Sequence, residues 1–286
     1  MEAILFGFVA HIGWATSDIF SAVVSRKIGG YSTTFWSNLI RIPLLALFIL
    51  FDLENLRALT FNTFLLCGAL AIISLIGGVC FFSAFQGGNA SLVGTIASAF
   101  VVPTVILSVI FFGERLNAAQ VVAIVVIVIG LVITSLDFES LRQGRRILDR
   151  SVALALCAML IWGVYYAFIR IPVEEIGWFL PSYIGYLFSP FVLVMMRFRR
   201  VGLQSPTSKN ALLPFIAMMT LSTAANLGYN IGISSGYTSI VAPIAASYPV
   251  LFVVLSSWYF REPLFRQQVI GIATSLMDIV ALTLLI

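Results

Sequence analysis

Ten long apolar runs, divided by short polar breaks, make up nearly all of this 286-residue chain. They lie at roughly 3–25, 34–51, 62–87, 91–112, 117–136, 151–170, 178–197, 211–236, 238–260 and 265–286. A helix rises about 1.5 Å per residue and the hydrocarbon core of a bilayer is about 30 Å thick, so each run is long enough to cross it. The pattern therefore predicts an all-α integral membrane protein with ten transmembrane helices. Two breaks are minimal: Gly87 to Ala90 after the third run, and Gly236-Tyr237 after the eighth. The one long polar connector, Asp137–Arg150, falls at the middle and leaves five runs on either side.

The two sets of five are copies. Ser91–Gln120 aligns without a gap on Ser239–Gln268, 148 residues later, with Ser91/Ser239, Ile96/Ile244, Ser108/Ser256, Phe112/Phe260, Glu114/Glu262 and Gln120/Gln268 among the identical pairs. Apolar composition alone yields some Val and Ile matches, but it does not place one Glu and one Gln in register. An odd number of spans per copy makes the second copy enter the membrane from the opposite side, so the repeats are inverted. The predicted organisation is a first repeat at 1–136, a connector at 137–150 and a second repeat at 151–286. Basic residues divide unequally between the two faces this implies. Arg26, Lys27, Arg142, Arg145, Arg146, Arg150, Arg197, Arg199, Arg200, Lys209, Arg261 and Arg266 fall on one side, and Arg57, Arg115 and Arg170 on the other. By the positive-inside rule the connector is cytoplasmic and both termini lie outside, in a multi-pass protein of the plasma (inner) membrane.

Composition agrees with this reading. Sixty per cent of the residues are hydrophobic and 10% are charged, whereas a soluble domain carries about 25% charged residues. Cys67, Cys80 and Cys157 sit inside apolar runs without CxxC spacing, which favours small buried side chains over a disulfide framework or metal site. No phosphate-binding GxxxxGK[ST] loop occurs, so ATP coupling has no support. One histidine and scattered acids give no reactive cluster, and neither an enzyme nor a cofactor is expected.

Ten spans in two inverted halves, each closing on Gly-Glu or Arg-Glu before a last helix, resemble the EamA-type members of the drug/metabolite transporter superfamily. The family's Trp-Gly in the first helix of each half is matched by Trp14-Ala15 and Trp162-Gly163, and its second-helix arginine by Arg41. Ala15 departs from the glycine, and Pro103 and Pro249 sit two positions out of register. The resemblance implies a carrier of small metabolites or toxic compounds, and it leaves the cargo open.

Charged groups inside membrane helices are costly, which makes each one a candidate site. Asp18 lies eight residues before Arg26, and Arg41 about seven residues into the second run, so adjacent antiparallel helices bring them level. A salt bridge between them is expected either to pin two helices together or to open in competition with substrate or a proton. Trp14 and Trp162 fall near the midplane, where they either wall a cavity or pack a core. His11 shares a face with Trp14 and is a weaker candidate for a proton relay. Asn226 and Asn230 share one face of the eighth run with Thr223, as cargo ligands or as interhelical glue, while Gly228, Gly232 and Gly236 form a packing stripe. Asn38, Ser98, Tyr165 and Ser247 complete the expected substrate pathway. Pro103, Pro243 and Pro249 are expected to kink the fourth and ninth spans and to act as hinges. Glu114 and Glu262 are expected to cap or pair at the membrane surfaces.

The function expected is secondary, non-ATP transport of a small metabolite, an amino acid or similar compound or a xenobiotic, by alternating access. A scaffold subunit or a passive channel is the alternative. The expected partners are the small-molecule substrate and the lipid bilayer; protons or another coupling ion and a homodimer stay open, and nucleic acid is not expected.

Overall fold

The computed structural model describes residues 2–113, 117–135, 149–234, 245, 248–261 and 264–285, and contains helices and no strands among them. α1 (Glu2–Ile28) is followed after one residue by α2 (Gly30–Leu45). Gly29 makes this hairpin with a φ of +84°, and Gly30 lies so close to the Ser83 backbone that a Cβ there would collide with it. The polar stretch expected between the first two spans is thus helical and enclosed. Thr33, Thr34 and Ser37 are buried there because each hydroxyl donates to a carbonyl of its own turn, at 2.9, 2.9 and 3.1 Å.

α2 tightens into a 3₁₀ turn (Ala46–Phe51), and a short α3 (Leu53–Ala58) precedes α4 (Phe61–Gly87). The Gly-Gly-Asn turn leads into α5 (Ala90–Ser98), which Asn89 caps by accepting from Leu92 N–H at 3.2 Å. α6 (Val101–Phe112) and α7 (Ala118–Ser135) end the first matched half. The second half comprises α8 (Arg150–Phe168), α9 (Arg170–Ile176), α10 (Leu180–Leu187), α11 (Pro190–Arg199), α12 (Leu212–Ser234), α13 (Tyr248–Phe260) and α14 (Arg266–Leu285). The 148-residue offset persists in the element boundaries. Glu2–Ile28 corresponds at both ends to Arg150–Ile176, Phe112 to Phe260, and the start of α7 to the start of α14.

Breaks within spans follow the prolines. α5 stops one turn before Pro103, α8 one turn before Pro172, and α10 just before Pro190. A proline lacks the N–H that would bond four residues back, and its ring crowds that carbonyl. Pro103 and Pro249 themselves sit in the first turn of α6 and α13, where that N–H is not needed, so the interruption lies N-terminal to Pro103. Pro190 breaks a span, 178–197, that the sequence pattern leaves whole, and Pro172 falls in a helical stretch that continues past the expected end of the sixth run at 170.

Among the described residues six stretches are long and apolar enough to cross a membrane: Leu5–Ile28, Gly30–Phe51, Phe61–Gly87, Ala90–Phe112, Arg150–Ile176 and Leu212–Tyr229. Tyr248–Phe260 and Val269–Asp278 are apolar but shorter. Outward faces carry Phe51, Phe61, Phe111, Leu213, Trp258 and Met277, each more than 60% exposed, a surface suited to lipid.

The first helix of each half packs against the third helix of the other. α1 lies along α12 and α8 along α4, while α7 packs on α14. Close approach needs small residues. A Cβ on Gly13 would meet Ala225, and one on Gly228 would meet Val9. The main core gathers Phe85, Val93, Ile96, Ala155 and Phe252 from α4, α5, α8 and α13.

Chain direction alternates. A cavity of about 490 Å³ gathers Gly29, Tyr31, Gln86, Arg150, Ser151 and Gln204, so α1 ends where α8 begins. At the other end Thr63 at the start of α4 donates to Glu175 at the end of α9, at 2.6 Å.

Candidate functional site

Midway along α1, Trp14 donates its indole N–H to the Asn226 amide oxygen on α12 at 2.7 Å. Its ring meets Tyr229 at 5.2 Å and Tyr248 at 5.7 Å between centroids. Trp162, 148 positions later, also reaches the third helix of the other half, one turn from Gly78, the counterpart of Asn226. It donates to the Ser74 carbonyl on α4 at 3.4 Å and meets Phe81, the counterpart of Tyr229, at 4.9 Å. Both tryptophans therefore tie the first helix of one half to the third helix of the other. Tyr229 and Tyr248 carry hydroxyls where Phe81 and Phe100 carry none, so one wall is more polar than its counterpart.

Asp18 lies one turn beyond Trp14. It is half-buried. Tyr166 is the counterpart of Asp18 by the 148-residue offset. It is 39% exposed, and its ring stacks on Phe100 at 4.5 Å.

Arg41 does not pair with Asp18. Its guanidinium donates from Nη2 to Ser222 Oγ at 2.6 Å and from Nε to Thr223 Oγ1 at 3.4 Å, and lies 5.5 Å from the Tyr186 ring centre. Arg41 turns instead to α12 and α10. Depth along a helix does not fix the direction around it.

The remaining expected residues divide. Tyr165 meets Tyr166 edge-on at 5.1 Å beside Tyr186, and joins the aromatic group. Asn38 donates to the Thr34 carbonyl of its own helix at 2.8 Å. Ser98 is buried and donates to the Thr95 carbonyl at 2.9 Å, so its hydroxyl is taken up locally. Pro103 packs directly on Gly163, where a Cβ would collide with its ring, and Thr104 donates to the Gly163 carbonyl at 3.2 Å. That contact explains why glycine follows Trp162. Pro249 is buried at the start of α13. His11 lies edge-on to Phe8 at 6.4 Å. Pro243, Ser247, Glu114 and Glu262 lie outside the described residues, as does the side chain of Asn230.

Tyr166, Tyr186, Tyr229, Tyr248 and Ser222 are the site residues that the sequence pattern does not single out. For Tyr166 the offset from Asp18 is a usable signal; the others are ordinary aromatic or hydroxyl positions in apolar runs.

Matching contacts close the two ends. At one, Arg26 donates to the carbonyls of Phe85 (3.1 Å) and Gly88 (2.8 Å) and lies 4.5 Å from the Phe260 ring centre. At the other, Arg170 lies 4.6 Å from the ring of Phe112, the counterpart of Phe260, and pairs with Glu174 at 3.3 Å. Ser91 and Ser256 share a hydrogen bond of 2.8 Å between α5 and α13.

The sequence model of the EamA-like transporter family matches residues 1–136 and again residues 149–284. An uncharacterized protein of Methanocaldococcus jannaschii, MJ1333.1, is 27% identical over 137 residues, which is 47% of this chain but 97% of that protein. One repeat's length of sequence thus matches a separate short protein. A solved crystal structure at 18% identity superposes with a TM-score of 0.67 over 98% of this chain and 96% of its own, a likeness of fold alone.

Proposed function

The chain belongs to the EamA-like transporter family, and from that premise we propose that it is a secondary carrier moving a small metabolite by alternating access. In this reading ten spans form two inverted repeats, 1–136 and 151–286, joined by a cytoplasmic connector at 137–150. The cargo path runs between the repeats past Trp14, Asp18, Tyr165, Trp162 and Asn226, with Arg41 in its wall. Both termini face outside, since Arg26, Lys27, Arg150 and Arg197–Arg200 cluster at one end of the bundle. The protein resides in the plasma (inner) membrane and acts without ATP or a catalytic step.

One observation carries the reading: Trp14 and Trp162, related by the repeat, each reach the third helix of the opposite half beside half-buried polar groups. Related contacts on both sides of one space allow the halves to rock about it and to expose it to either face in turn. Counterflow in proteoliposomes tests this, with panels of amino acids, nucleosides, sugars and organic amines. Saturable exchange of one class is the expected result. Flux that rises without saturation favours a channel, and no flux with any compound favours a scaffold.

A further inference from the structure

The cavity where α1 stops and α8 starts has a volume of about 490 Å³ and is lined from both halves of the chain. That volume falls within the range of small-molecule sites, about 300–1,000 Å³. We propose that this cavity is a receptor for a phosphate group, carried by a lipid headgroup or by a soluble phosphate ester. It stands apart from the cargo path, since Ile28, its lining residue on α1, lies about 21 Å along the helix from Trp14.

The groups that line it define what fits. Arg150, the first residue of α8, is exposed and supplies a positive charge. Among the described residues no hydrogen bond or ion pair reaches its guanidinium, the Gln86 amide or the Ser151 hydroxyl. Ser151 is only 6% exposed, and a Cβ on Gly87, also in the lining, would stand 3.5 Å from its Oγ, so the hydroxyl turns into the cavity. A buried hydroxyl without a protein partner calls for one from outside the chain. The 16-residue α2 begins at the same space, and Gly29 gives it no side-chain cap. Its first-turn N–H groups and its dipole therefore favour an anion there. No acid lines the cavity among the described residues, and Asp149, beside Arg150, accepts from the Ser151 N–H at 3.1 Å. The donors come from α2, α4 and α8, three directions that the oxygens of a tetrahedral phosphate can meet and the two of a planar carboxylate cannot. A phosphate held there ties the two halves together at this end.

The test is thermal unfolding of the purified full-length protein in detergent at fixed ionic strength. The probes are glycerol 3-phosphate and a short-chain phosphatidylglycerol, with glycerol and the matching diacylglycerol as phosphate-free controls. A ligand that binds the folded chain raises its melting temperature by mass action. A saturable rise with a phosphate probe, and none with its control, is expected. Arg150→Gln, at an exposed position that tolerates the change, is expected to weaken binding about tenfold or more, and Ser151→Ala about threefold. Arg199→Gln removes an exposed charge at the same end but outside the cavity, and is expected to alter binding by less than about twofold. Glycerol 3-phosphate binding as tightly as the lipid identifies a soluble ester as the source of the phosphate, and weaker or no binding a lipid headgroup; both support the receptor. No rise with either phosphate probe, an equal rise with its control, unchanged binding in Arg150→Gln or in Ser151→Ala, or an equal loss in Arg199→Gln overturns it. Binding is read here without flux, so counterflow can fail while this site stands, and this site can fail while counterflow succeeds.

Discussion

Trp14 on α1 and Asn226 on α12 are 212 positions apart in sequence and joined by a 2.7 Å hydrogen bond at the middle of the bundle. The bond fixes the indole against Tyr229 and Tyr248, and Trp162 and Ser74 repeat the relationship in the other half. Each half is therefore completed by the other, and the enclosed polar groups lie at the join.

Asn226→Leu strands the Trp14 N–H inside the bundle, and Trp14→Phe strands the Asn226 amide. Interhelical hydrogen bonds in membranes average about 0.6 kcal/mol and reach about 1.7, so each variant is expected to lose about 1 kcal/mol. A double-mutant cycle read by thermal unfolding in detergent is expected to return a coupling of that size, because the double variant leaves neither group unpaired.

Gly163 and Ala15 occupy equivalent places after the two tryptophans, but only Gly163 faces a proline ring. Gly163→Leu is expected to collapse the folded yield, since Pro103 on α6 leaves no room for a side chain. Ala15→Gly is expected to retain a monodisperse peak with a loss of about 1 kcal/mol in stability. Size-exclusion profiles and melting curves of the two variants check the difference.

Arg26→Ala removes two carbonyl hydrogen bonds and the Phe260 contact from the end where α1 meets α13. Loosening of that end is expected to expose the buried Ser256. In a chain lacking Cys67, Cys80 and Cys157, a cysteine at 256 is expected to react several-fold faster with a membrane-impermeant maleimide when Arg26 is Ala. Arg170→Ala, at the opposite end, is expected to leave this rate unchanged.

Orientation is testable without transport. Under the proposed topology, alkaline phosphatase fused after Ile286 is expected to be active and a green fluorescent protein fusion dark. The reverse pattern turns the molecule over and places Arg26 and Arg150 outside.

Class and duplication were legible because each rests on one-dimensional quantities: run length and offset. The 148-residue offset found in Ser91–Gln120 holds for helix boundaries well outside that stretch, from Glu2/Arg150 to Ala118/Arg266. Helix ends were less legible. The sequence pattern begins the second span at 34, yet Thr33 and Thr34 bond back to Gly29 and Gly30 and the helix starts at Gly30. The Asp18–Arg41 pairing was drawn from depth alone, and depth leaves the rotation of each helix free.

The amino-acid sequence by itself determined that this chain is a duplicated, lipid-soluble helical protein, because membrane thickness acts on each segment separately. The tertiary structure decided that α1 completes the opposite half and that Arg41 turns to Ser222 rather than to Asp18. Spans that are apolar all round carry no stripe that points to a neighbour. Which faces meet is settled by small residues such as Gly13 and Gly228 and by the few polar groups that find partners across the bundle.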